Sequence, residues 1–164
     1  MFKPITFKAF LLLVVFGIPT LRVNAKPEPL DNIDSLKYFE NLTRQYERNG
    51  DKVKLVETLI AKSQYLFNKK NLDNALIEAN QALIVSLDMG REQYLEKAYY
   101  LLSQIHIEKG LLYESIDYLY PGYRYSIATR DSLKIGWYLL SISKVEGELG
   151  RLNNAIENNL TAIN

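Results

Sequence analysis

Few side chains in this sequence could do chemistry. His106 is its one histidine, and cysteine is absent. Without thiols there is no disulfide framework, thiolate metal site or cysteine nucleophile. Ser103 stands three residues before His106. A serine nucleophile also needs a group to orient its base and an oxyanion site, and nothing supplies them. A lone His, with Glu108 on a different face, makes no metal-ligand set, so His106 reads as a packing or partly exposed polar residue. Glu92 with Glu96, and Glu146 with Glu148, suit a solvated helix face with neighbouring lysines better than a glycosidase pair. No glycine-rich phosphate loop occurs. The inventory predicts no enzyme, cofactor or metal site.

Side chains suited to recognition are better represented. Gln64, Gln104 and Lys144 form a column at forty-residue intervals, and Asn68, Glu108 and Glu148 form a second. Glu57, Lys97 and Trp137 make a third, and Ile60, Tyr100 and Leu140 a fourth. Amide and charged side chains beside aromatics can hold a peptide backbone. Gln64, Asn68, Lys97, Tyr100, Gln104, Glu108, Trp137 and Lys144 are therefore the candidates for a binding groove. The competing reading is a set of ordinary solvated residues.

A second candidate is aromatic. Tyr113, Tyr118, Tyr120, Tyr123 and Tyr125 crowd around Pro121-Gly122. Proline inside a helix removes a donor and collides with the carbonyl four residues back, here Asp117, so a kink or break is expected. The rings are either an anchor patch for a partner or filling for the space that the kink opens. Stacking of bases is a third use, but Arg124 alone makes no basic groove. Asn41-Leu42-Thr43 and Asn159-Leu160-Thr161 match the glycosylation pattern. Both fall in expected helices and read as chance.

The elements that must position these side chains come from a repeat. Ser63, Ser103 and Ser143 lie forty residues apart, as do Leu72, Leu112 and Leu152. Ala75, Ser115 and Ala155 follow in register, and Ala82, Gly122 and Ala162 give a further small column. Apolar residues recur at helical spacing, as in Leu95, Ala98, Tyr99, Leu102 and Ile105. The pattern predicts helices at about 33–48, 52–69, 72–87, 92–109, 112–127, 132–149 and 152–163. That is a half unit followed by units at about 52–90, 91–130 and 131–164. Ser63 with Ala75, Ser103 with Ser115, and Ser143 with Ala155 face one another across a turn, where large side chains would push the helices apart. Gly110 and Gly150 suit the left-handed residue that ends a helix. Lys70 holds the matching place, with Asn71 beside it as the expected left-handed residue.

These columns resemble the tetratricopeptide repeat. Ser103, Gly110, Leu112 and Ser115 fit its pattern of a small residue, a turn Gly, an aromatic or Leu and a second small residue. Ser143, Gly150, Leu152 and Ala155 fit it again. The resemblance runs from Ser35 to the end. The period of forty exceeds the family's usual thirty-four, so the helices are longer, and the usual proline after the second helix is missing. The resemblance implies an all-α fold of antiparallel helix pairs stacked as a right-handed α-solenoid. It also implies an inner groove, lined by the first helix of each pair, that binds peptides or protein segments.

Length and charge agree with one repeat domain. The chain has 164 residues, with 20 basic and 19 acidic side chains. Near-neutrality excludes a strongly basic nucleic-acid binder as the default. Residues 1–25 read as a signal peptide: Lys3 and Lys8, the uncharged run Ala9–Ile18, then Pro19 and Val23-Asn24-Ala25. Cleavage would remove Lys3, Lys8 and Arg22 and no acid, turning the formal charge of +1 into −2. An uncleaved membrane anchor is the alternative. Residues 26–34, with Pro27 and Pro29, read as a linker.

Three functions remain in order of preference. The first is an exported scaffold that binds a protein or peptide. The second is the sensory front of a longer signalling protein, such as a histidine kinase or transcription regulator. An enzyme is third. The apolar stripe Leu152, Ile156, Leu160 and Ile163 predicts a further array or self-association through residues 152–163.

Overall fold

The computed structural model describes residues 32–151, with side chains from Ser35 onward. Six helices follow one another: α1 (Asn32–Asn49), α2 (Lys52–Asn68), α3 (Leu72–Met89), α4 (Glu92–Glu108), α5 (Leu112–Ala128) and α6 (Ser132–Glu148). Each packs on its neighbour in sequence, and α2 also touches α4. α2 with α3 and α4 with α5 are antiparallel pairs, and the first helices of successive pairs lie side by side. The result is a helical repeat solenoid. α1 begins at Asn32, so the last three residues of the expected linker form its first turn. The segment 1–25, the rest of the linker, Ala155 and the expected helix 152–163 lie outside the described residues.

The turns set the period. Positive φ occurs at residues 50, 70, 90, 110, 130 and 150, once every twenty residues. At most of these turns the next N–H reaches five carbonyls back, as from Asn71 to Leu66 O at 2.9 Å and from Leu111 to His106 O at 2.9 Å. This closure ends one helix and starts the next within three residues. Lys70 itself is left-handed, at φ 60°, and Asn71 is instead the cap of α3 at φ −88°. The expectation for Asn71 is thereby corrected: the closing hydrogen bonds fix which residue reverses the chain, and they fall on residue 70 whatever its type. Arg130 does the same at φ 57°. Asp51 and Asp131 cap α2 and α6, each accepting an N–H three residues on at 3.1 Å.

Small residues hold the helices close. Ser63, Ala75, Ala79, Ala82, Ser86, Ser103 and Ser115 are fully buried. Ser63 Oγ donates across the first pair to Ala75 O at 2.7 Å, as the twelve-residue spacing requires. One core cluster joins Leu66, Ala75, Leu101 and Ile105 across α2, α3 and α4. A second includes Val56, Leu59, Ala82, Tyr94 and Ala98. A third, at the seam of α5 and α6, is built on Leu119, Tyr138, Ile142 and Val145.

α5 runs unbroken through Pro121. The expected break is absent because packing on both sides holds the helix. Leu119 and Gly122 bury against α6, and Tyr118 packs on the cluster of the preceding pair.

Candidate binding groove

The groove candidates lie on α2, α4 and α6, the first helices of the expected pairs. Glu96, Tyr100, Gln104 and Glu108 succeed one another at four-residue steps, so α4 presents them as one stripe. Across from it α6 presents Lys134, Trp137, Ser141 and Lys144. Between them opens a cavity of about 250 Å³, lined by Phe67 of α2, Gln104, Ile107 and Glu108 of α4, and Trp137, Ser141 and Lys144 of α6.

The Trp137 ring forms one wall. It stands edge-on to Tyr100, centroids 4.4 Å apart, and to Tyr138 at 5.1 Å. Three rings locked edge-to-face leave the indole little freedom, so the wall is preformed. Burial pushes the Tyr100 hydroxyl up, the charges of Glu96 and Asp131 add to this, and its hydrogen bond with the Gln104 side chain opposes it. Gln104 Oε1 is buried and has no hydrogen-bond partner among the described residues. The rim charges are matched: Lys70 pairs with Glu108 at 2.6 Å and Lys144 lies 3.9 Å from Glu148.

Four of the groove candidates, Gln104, Glu108, Trp137 and Lys144, thus meet in one cavity, with Tyr100 supporting its wall. The other three stand apart. Gln64 donates to Asn68 at 3.2 Å, one repeat earlier on α2. Lys97 lies over the Tyr94 ring at 5.7 Å. Phe67, Ile107 and Ser141 are lining residues that the columns missed. Phe67 and Ile107 are themselves forty apart, three residues beyond Gln64 and Gln104, and that helical offset is the signal that could have found them.

Two expectations about charge are corrected. Glu96 and Glu146 do not lie on a solvated face; they are 3% and 2% exposed. Glu96 is bridged by Lys134 and its backbone carbonyl accepts from the Tyr138 hydroxyl at 3.3 Å. Burial pushes its carboxyl above the ordinary range, against the pull of Lys134. Glu146 is held by Arg151 at 3.1 Å and by Tyr120 at 3.2 Å. These partners come from other helices or from the following turn, Lys134 and Tyr138 from α6, Tyr120 from α5 and Arg151 from the turn after α6, which is why neighbours on the same helix gave no hint of them.

The tyrosine patch is also corrected. Tyr118 and Tyr125 share a face, seven residues apart, and both meet Tyr99, at 6.5 and 5.7 Å. Tyr120 and Tyr123 turn to the other side, toward Glu146 and the Tyr138 cluster. A 3.6-residue turn divides what looks continuous in sequence. His106 is buried for packing: its Nδ1–H donates to Leu102 O at 2.8 Å and its ring lies 4.6 Å from Tyr118.

Paired antiparallel helices, left-handed closures every twenty residues and first helices aligned along one face define a helical repeat solenoid of the tetratricopeptide type. The TPR domain of Arabidopsis FLU has this fold, with a TM-score of 0.63 over 68% of this chain and 94% of that one. The two sequences are 20% identical, so the likeness is one of fold. No protein-family model matches the chain, and no curated protein matches it.

Proposed function

We propose that this chain is a non-catalytic scaffold that holds a peptide or protein segment on its inner face. The observation that carries this reading is the cavity between α4 and α6, where the Trp137 ring, held edge-on by Tyr100 and Tyr138, stands with Phe67 and Ile107 beside the polar side chains of Gln104, Ser141 and Lys144. His106, which a catalytic reading would need as a base, spends Nδ1 on a backbone carbonyl inside the core.

A random-peptide display library selected on the purified chain tests the scaffold. Peptides should be enriched, and replacing Gln64, Gln104 and Lys144 together with Ala should weaken their binding while helicity by circular dichroism is kept. Unchanged affinity would move the site off the inner face.

We propose further that the scaffold is exported. The support is the charge and apolar pattern of residues 1–25, and the expected mature terminus is Lys26. An intact Met1 on protein recovered from a cell envelope would overturn cleavage.

A further inference from the structure

The seam between α4 and α6 encloses a carboxyl group. Glu96 is 3% exposed, and of its two oxygens Oε2 is bridged by Lys134 while Oε1 is buried with no hydrogen-bond partner among the described residues. Tyr138 ties the same residue to α6 by donating to its backbone carbonyl at 3.3 Å. Lys134 also stands over the Tyr100 ring at 5.2 Å. The groups that act on the carboxyl are Lys134, Asp131 and Tyr138 from α6 and the turn before it, with Lys97 and Tyr100 on α4 itself. On the α2 side Glu57 is taken up by the Tyr94 hydroxyl at 2.9 Å, and α5 meets the seam through uncharged Leu119 and Gly122. The first seam carries no such charge: forty residues earlier the matching place is held by Val56, fully buried. A carboxylate taken out of water with one oxygen unmatched is tolerated only while its desolvation is offset. One lysine offsets it incompletely, so burial holds the Glu96 carboxyl above the ordinary range.

We propose that Glu96 makes the α4–α6 seam a pH-sensitive joint, closed while its carboxyl is protonated and loosened as the carboxyl ionises. In the loosened state α6 moves off α4 and water reaches Oε1. The closed seam binds the proton more tightly than the open one, so opening increases as pH rises and levels off once the closed seam has also lost its proton. Between the ordinary carboxylate range and that point, each pH unit multiplies the opening constant by up to about ten. The cavity draws its walls from both α4 and α6, so under the scaffold reading the joint also sets whether the inner face is assembled. The opening itself needs no ligand.

Native-state hydrogen exchange on the full chain, followed from mild acid to neutrality and corrected for intrinsic exchange rates, tests the joint. Protection of α6 should fall with rising pH by up to about tenfold per unit, while the central amides of α2 and α3 keep theirs. Acrylamide should quench Trp137, the only tryptophan in the chain, more strongly over the same window. Glu96→Gln and Glu96→Val, the second taken from the first seam, should flatten both profiles. Asp131→Asn keeps a cap on α6 and removes a negative charge, so it should move the transition toward the ordinary carboxylate range. Glu146→Gln, at the other buried carboxylate on α6, should leave the transition in place.

Profiles that are flat in the wild type, or that keep their slope in both Glu96 variants, overturn the joint and leave the scaffold reading standing. Protection lost equally from α2 and α6 overturns it as well, since the event is then global unfolding. A chain that enriches no peptides but shows the Glu96-dependent loss in α6 keeps the joint and loses the scaffold.

Discussion

Gly122→Ala tests the repeat seam, because two effects of opposite sign meet there. Gly122 lies inside α5, where Ala is preferred by about 1 kcal/mol on helix propensity. In this structure, however, a Cβ at residue 122 would stand 2.5 Å from Tyr138 Cζ and 2.6 Å from Cε1, and would collide with the hydroxyl oxygen as well. Tyr138 is fully buried among Leu119, Ile142 and Val145 and cannot swing aside. Overpacking of this kind costs about 1–3 kcal/mol. Moving the ring also endangers the hydrogen bond to Glu96 O, worth about 1 kcal/mol. After the propensity gain the net loss is about 1–3 kcal/mol. For a chain of this size each kcal/mol lowers the melting midpoint by roughly 2–4 °C. Thermal unfolding followed by circular dichroism should therefore show a drop of several degrees. In a Tyr138→Leu background, where the ring is gone, the same substitution should cost less or turn favourable. A midpoint that rises in the otherwise wild-type chain would refute the close approach of α5 and α6 and with it the packing of this seam.

Two further outcomes follow from buried charge and from the turns. The raised carboxyl of Glu96 binds its proton more readily folded than unfolded. Its contribution to stability is therefore full below the ordinary carboxylate range and falls as pH rises through the folded value. Measured by denaturant titration across that window, the wild type should lose stability relative to Glu96→Gln as pH increases; parallel profiles would contradict the burial. Gly110→Ala should cost about 1 kcal/mol because residue 110 is left-handed at φ 73°, whereas Arg130→Gly, which relieves the same conformation, should be neutral or stabilising. Equal losses in both would show that the turns do not share one geometry.

Much of the fold was legible in the columns. Ser63 and Ala75 announced their contact by a spacing of twelve, because a three-residue turn between antiparallel helices leaves only one register in which two small residues face each other. The groove was half legible. Gln104, Glu108, Trp137 and Lys144 come together in one cavity because side chains repeating with the period share a face. Phe67, Ile107 and Ser141 were missed because they look like core residues at helical spacing, and only the separation of α2, α4 and α6 shows that they line a space.

Within the described residues, the twenty-residue spacing of the turns and the helix ends to within a few residues follow from the chain's own pattern, because both depend on local hydrogen bonding and helical periodicity. The tertiary structure decided what each repeated column is for. In the first seam the small column supplies Ala82 beside Ala98; forty residues later it supplies Gly122 against Tyr138. The same position needs Ala in one case and no side chain at all in the other, since the available volume is set by the facing helix. Glu96 and Glu146 follow the same logic. A carboxylate on a helix is solvated or buried according to what the next repeat lays over it, and that decision is made across space between residues tens of positions apart.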